Sequence, residues 1–431
     1  MQTAVNTTIT ALVAIVQSVG IGTNVSLLRL LWVMVNGSFL GSRGAVHSAL
    51  AANAFSDEEV RRSWAALRYG QWEIDELLTN WQIHVAATNG WRVRRHRGYR
   101  VKSVDITGFF RSRLQGAVSQ HYAGLAQRAL PAMVFGVMIT SGQIQEKRVP
   151  LLEKIVRCEA GTSESTFRGE LLQAAAKEAD PDEITVLDAG FHLPEIHLAE
   201  LERYVVRMAA NCTARQNRLP EYKGRGARPK YGALIRPLAR KHKGRTIAAS
   251  QAQQQGRFAY KGRTIRYHIW PQLVTVNTKV DEDNPTFTLM LFFDPLYKKP
   301  MILATDLPLD AEAIYHIYRD RWPVEHPPLA AKQMIGLHRQ FVFAEDSCFR
   351  LPELALLAGN VLTHCAALLP PVPSGFWDRA PKATPGRLRR LLNQAIFPNV
   401  LELDPELRKK NSVSDHLPKG IHAHRRQRTA A

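Results

Sequence analysis

The stretch "YRDRWPVEHPPLAAKQMIGL", residues 318–337, decides how this chain is read. Tyr318, Arg321, Glu325 and Lys332 are separated by three, four and seven residues, the steps that keep side chains on one face of an α-helix. Pro327 and Pro328 stand inside the same stretch. Within a helix, Pro327 would leave the carbonyl of Pro323 without its N–H, and Pro328 that of Val324. Each interior proline costs roughly 3 kcal/mol and kinks the helix. A helical face bearing four functional side chains is expected, disturbed directly after its carboxylate.

Two strand-like runs upstream each bring an aspartate. "VKSVDITGFF" (101–110) carries Asp105, and "EITVLDAGF" (183–191) reaches Asp188 and Gly190 as a buried strand reaches a loop. Three carboxylates from three elements repel one another unless a cation neutralises them. Mg²⁺ does so with hard oxygen ligands, keeping positions for water and phosphate oxygens. Two such ions about 3.5–4 Å apart clamp the attacking and leaving oxygens of a phosphoryl displacement. Taken singly, each residue has an ordinary structural reading. Asp105 can end a strand, Asp188 can start a turn, Tyr318 can pack in a core, and Arg321 can pair with Asp320 or Glu325. Only their joint spacing raises the functional reading above these.

The charge balance points the same way. Lys and Arg number 57 against 38 Asp and Glu, a net charge of +19 in 431 residues. So basic a chain is attracted to polyanions, of which nucleic acid is the commonest. The excess is concentrated: residues 223–266 hold thirteen Lys or Arg and no Asp or Glu. Arg225, Arg228, Lys230, Lys241, Lys243 and Arg245 are its candidate DNA contacts. Neutralising several phosphates there predicts affinity that falls steeply with salt. Four scattered cysteines without a CxxC pair argue against a zinc module or a disulfide scaffold and fit a reducing cytoplasm. The N-terminus lacks the charged n-region of a signal peptide, and its apolar stretches read as buried helices, so no membrane role is expected.

Along the chain, residues 1–98 read as a helical, DNA-binding N-terminal region, with Ser56 and Glu59 forming a capping box. Residues 99–208 alternate strands and helices, "AMVFGVMIT" (132–140) being a central strand and "QIQEKRVPL" (143–151) its hairpin partner. Residues 209–306 read as a β-rich basic insertion, with "GRTIRYHIW", "LVTVN" and "FTLMLFF" as separate strands. Residues 307–370 return to the core, including an apolar helix at 350–369, and 371–431 read as a linker and basic tail. The expected class is α/β, a mixed sheet flanked by helices.

At these motifs the sequence resembles bacterial insertion-sequence transposases of the DDE class, in the group with a Tyr-x2-Arg-x3-Glu-x6-Lys signature. Tyr318, Arg321, Glu325 and Lys332 match that spacing without a gap, and "VDITGFF", "VLDAGF" and "KQMIGL" resemble the flanking motifs. The resemblance covers roughly residues 100–370. It implies a ribonuclease-H-like fold interrupted by the insertion. It also implies cut-and-paste DNA transposition, with Asp105, Asp188 and Glu325 binding two Mg²⁺ ions, Mn²⁺ able to substitute. Water would attack at the element's terminal inverted repeats, and the freed 3′-hydroxyl would attack target DNA; some relatives pass through a hairpin intermediate. Tyr318 and Arg321 would hold terminal phosphates and Lys332 would contact the backbone; Trp322 or Trp270 could stack on an extruded base, although a buried tryptophan is more often a core residue. A homodimer on DNA and a bacterial, nucleoid-associated cytoplasmic location follow from the same resemblance. The alternative is a transposase-derived DNA-binding protein in which the prolines impair catalysis. A ribonuclease-H-like nuclease of repair or RNA is disfavoured by the four-residue signature.

Overall fold

The computed structural model describes residues 1–399 other than 89, 117, 223, 225 and 243, together with 403 and 407. Arg225, Lys243 and most of the expected basic tail lie outside the described residues. The chain divides into two compact units. One comprises Met1–Arg92, Ile106–Thr162 and Pro323–Ala431, the other Val93–Asp105 and Ser163–Trp322. The boundaries fall inside the strand Tyr99–Phe110, after Asp105, and between Trp322 and Pro323.

In the first unit the N-terminal helices share their core with elements from later in the chain. Gln2–Val16, Thr23–Val35 and Ile74–Ala87 share one apolar core with the helix Glu345–Leu368 and the hairpin Arg128–Ile144/Lys147–Arg157. The reason is the composition of Glu345–Leu368. It is apolar around its whole circumference and buried along almost its entire length, so it must be covered on every side. By length and composition it is the one described helix able to cross a membrane, but 94% of its most apolar window is buried inside the protein. Asp57–Tyr69 opens on the expected box: the Glu59 N–H donates to Ser56 Oγ, and the Ser56 N–H donates to Glu59 Oε2 at 2.9 Å. The predicted hairpin is present, Ile144 facing Lys147 and Phe135 facing Arg157.

One polar side chain organises that core. Asn360, fully buried, accepts from Trp81 Nε1 at 2.8 Å and from the Leu152 N–H at 3.0 Å, and donates to the Pro150 carbonyl at 2.8 Å. It fastens helix Ile74–Ala87, helix Glu345–Leu368 and strand Lys147–Arg157 at a single point.

His364, one turn further on and 1% exposed, packs edge-on against Trp81. Burial, with His84 adding a smaller effect, pushes its imidazole down to about 4. The unfolded chain titrates near 6.5. A depressed folded value means the unfolded state binds the proton first. The stability that depends on neutral His364 is therefore complete above about pH 6.5 and lost as pH falls towards about 4. Urea titrations across that window are expected to show stability falling more steeply in wild type than in His364→Leu; parallel slopes would refute the assignment.

The second unit is built on a mixed sheet. Tyr99–Asp105 runs parallel to Glu183–Leu187, pairing Arg100 with Glu183 and Ser103 with Val186. Glu183–Leu187 in turn runs parallel to Tyr204–Met208. From there the order continues antiparallel through Met301–Thr305, Phe287–Phe293 and Arg263–Val274, with Gln254–Tyr260 as a hairpin on the last. The expected insertion thus extends the same sheet. "LVTVN" is not a separate strand, because Leu273 and Val274 end Arg263–Val274 after a bulge. The helix Ala311–Arg319, N-capped by Asp310, lays Ile314, Tyr315 and Ile317 on Val101, Ile184 and Val205.

The stretch 309–338 is not one helix. Ala311–Arg319 ends at Asp320, Trp322–Glu325 is a 3₁₀ turn, His326–Leu329 is a new α turn, and Ala330–Ile335 is π-helical. Gly336 closes the run at φ +97°, a conformation that suits glycine. Pro327 and Pro328 lie in the first turn of the new segment, where N–H groups have no intrahelical carbonyl to reach. The interior-proline penalty therefore does not arise. The single helical face expected for Tyr318, Arg321, Glu325 and Lys332 is likewise replaced by a succession of short elements.

Candidate active site

In the second unit two sequence-predicted residues stand just beyond the last pairing of adjacent parallel strands. The parallel pairing runs as far as Ser103 with Val186, and Asp105 and Asp188 each follow that last pair by two residues, Asp188 just past the end of Glu183–Leu187. Side chains alternate along a strand and parallel partners share a face, so Asp105 projects on the face of Ser103 and Val186. Asp188 is held by its own turn: Oδ1 accepts the Gly190 N–H at 2.8 Å. A Cβ at Gly190 would lie 3.0 Å from that oxygen, so glycine there lets the turn close on the carboxylate.

Basic groups surround the pair. Arg321 Nη1 lies 3.8 Å from Asp105 Oδ2. Arg168, anchored to Glu195 at 3.0 Å, adds its charge to the surroundings of Asp188. Tyr318 is 8% exposed. Burial holds its phenol protonated, above its ordinary value, and the negative charge of Asp188 adds to this; Arg321 and Arg207 act in the opposite sense. Asp320, fully buried beside Arg321, is gripped by Arg94 Nε and His96 Nε2, each at 2.7 Å. That grip fixes the backbone from which Arg321 projects. Arg168 and Arg207 were not picked out from the sequence. Arg207 carried a signal, being the one charged residue in "YVVRM".

In the first unit, Lys332 Nζ donates to Thr107 Oγ1 at 2.7 Å and lies over the Phe109 ring. Thr107 follows Asp105 by two residues on the same strand. Glu325, partly buried, ends the 3₁₀ turn, and its charge partly counters the burial that lowers the His326 imidazole.

No family model and no curated protein matches this chain.

Of the two stacking candidates, Trp322 is 60% exposed, whereas Trp270 is fully buried with Nε1 donating to the Gln251 carbonyl. Trp270 takes the commoner reading of a core residue and is not available to stack on a base. In the basic segment Arg228, Lys230, Lys241 and Arg245 are exposed. Lys241 and Arg245 belong to the small hairpin Arg240–His242/Arg245–Ile247. Arg257 and Arg266, also exposed, stand directly opposite one another across Gln254–Tyr260 and Arg263–Val274, a like-charge pairing that costs stability unless an anion bridges it.

The donor chemistry suits Mg²⁺: Asp105 and Asp188 offer hard carboxylate oxygens, and Asp105 already attracts a guanidinium. Among the described residues, no group of three or more His, Cys, Asp or Glu is gathered as a metal site.

Proposed function

We propose that the chain is a DDE transposase that cuts DNA at the ends of its element and joins the freed ends to target DNA. The observation carrying this reading is that Asp105 and Asp188 each stand two residues past the last pairing, Ser103 with Val186, of adjacent parallel strands. The signature residue Arg321 lies against Asp105. A ribonuclease-H-like core is favoured by the strand Tyr99–Phe110. Within one unit its far end neighbours the antiparallel hairpin, and within the other its near end is followed by two parallel strands.

Asp105 and Asp188, with Glu325 by the resemblance, would hold Mg²⁺, which when bound activates water and stabilises charge on a scissile phosphate. The protein's own groups do the rest. Arg321 presents a planar donor fork suited to a phosphate. Tyr318, kept as the neutral phenol by burial, has a proton to donate. Lys332 is steadied by Thr107, and the exposed cations of 223–266 offer a surface for the backbone. The partners are the element's inverted repeats and target DNA, bound by a homodimer in the bacterial cytoplasm.

Full-length protein incubated with labelled DNA bordering its reading frame is expected to nick that DNA with Mg²⁺ or Mn²⁺, and not with EDTA. Absence of products with either metal would leave the second reading, a DNA-binding protein without nuclease activity. The observation favouring it is the set of exposed cations Arg228, Lys230, Lys241 and Arg245, which serve binding whether or not cleavage follows.

A further inference from the structure

An aromatic pair stands in solvent at the end of the first unit. Phe376 is 97% exposed and Trp377 68%, their rings edge-to-face with centroids 4.7 Å apart. They are the two central residues of a turn closed by the Asp378 N–H on the Gly375 carbonyl at 3.1 Å. This is not a slack tail. Asp378 accepts from the Ser374 N–H at 2.9 Å, from Ser374 Oγ at 3.0 Å and from the Ala380 N–H at 3.2 Å. Arg387 Nη1 bridges Asp378 Oδ2 to the Val372 carbonyl, each at 2.7 Å, and a Val372–Lys382 bridge joins the ends of the loop. A Cβ on Gly375 would meet the Trp377 ring at 2.9 Å, so glycine makes room for the indole.

A loop that spends this many bonds on displaying two large aromatic side chains to water has a partner for them. Charge says which. Residues 371–399 contain five Lys or Arg and one acid, Asp378, and that acid is already paired with Arg387. A second copy of this chain would bring the same positive excess, whereas nucleic acid brings the opposite charge together with flat π-faces.

We propose that the loop 372–382 is a DNA contact in its own right, Phe376 and Trp377 stacking on an accessible nucleobase while Arg379 and Lys382 meet the flanking phosphates. The choice of DNA rests on the function proposed above; the contact itself rests on the loop. The loop arrives pre-ordered, so stacking does not have to overcome the entropy of freezing it.

The test is fluorescence anisotropy of full-length protein with a labelled duplex bearing a single-stranded overhang, against a blunt duplex. Wild type is expected to prefer the overhang. The double variant Phe376→Ala/Trp377→Ala is expected to lose about tenfold or more in affinity for it, with an unchanged salt slope because no cation is removed. Both rings are exposed, so thermal unfolding should not move. Phe376→Leu/Trp377→Leu, apolar but unable to stack, is expected to bind as weakly as the alanine pair. If wild type binds DNA and the alanine variant binds the overhang equally well, this proposal fails while the transposase reading stands. If wild type binds no DNA, the reading beneath it fails as well. Loss of self-association with DNA affinity intact would make the loop an interface between copies and overturn the proposal.

Discussion

Asp188→Asn is expected to reduce strand cleavage by on the order of a thousandfold, several kcal/mol of lost charge stabilisation, while leaving DNA binding intact. Asparagine keeps Oδ1 as the acceptor for the Gly190 N–H, so the turn after Glu183–Leu187 should survive. What disappears is the negative charge of the carboxylate. With fewer negative charges the variant should bind DNA at least as tightly as wild type. Cleavage at the wild-type rate by this variant would remove Asp188 from the active site, and with it the parallel-strand pair on which the enzymatic reading depends.

The second large effect concerns folding. In Asn360→Leu the side chain is similar in bulk, but three buried polar groups lose their partner: Trp81 Nε1, the Leu152 N–H and the Pro150 carbonyl. Each such group costs about 1–3 kcal/mol when left unsatisfied. The sum is comparable to the whole stability of an ordinary domain, about 5–15 kcal/mol. The variant is expected to accumulate as aggregate, or to unfold about 5 °C lower if recovered, roughly what a few kcal/mol does to a chain of this size. A melting temperature within a degree or two of wild type would show that the three bonds are dispensable.

How much of this was legible beforehand depends on the range of the determining interaction. The Ser56–Glu59 box, the hairpin around residue 145 and the strand leading to Asp188 were legible because their causes lie within a few residues. Met301–Thr305 was not singled out, and "LVTVN" was cut off as its own strand, because pairing partners decide where a strand begins and stops. Asp105 and Asp188 were legible as motifs, but that their strands are parallel neighbours comes from a register that no local pattern encodes. Trp270 and Trp322 look alike in sequence, and only packing separates the buried one from the exposed one. Asn360 was invisible for a related reason: a lone amide in an apolar helix reads as a blemish until its three partners arrive from distant segments.

The step-of-three-and-four rhythm after Tyr318 misled in another way. It holds for sequence spacing whatever the winding, and here the winding changes from α to 3₁₀ to α to π within one short run. That alters what Pro327 and Pro328 mean. Seated at the start of a fresh turn, their rings fix φ near the value the folded chain needs. The same rings restrict the denatured chain, which has fewer conformations to surrender when it folds. Rigidity of this kind contributes about 0.4–1 kcal/mol per compatible proline in favour of the native state. The residues that looked like damage to a catalytic helix are thus a source of stiffness in the segment that follows Glu325.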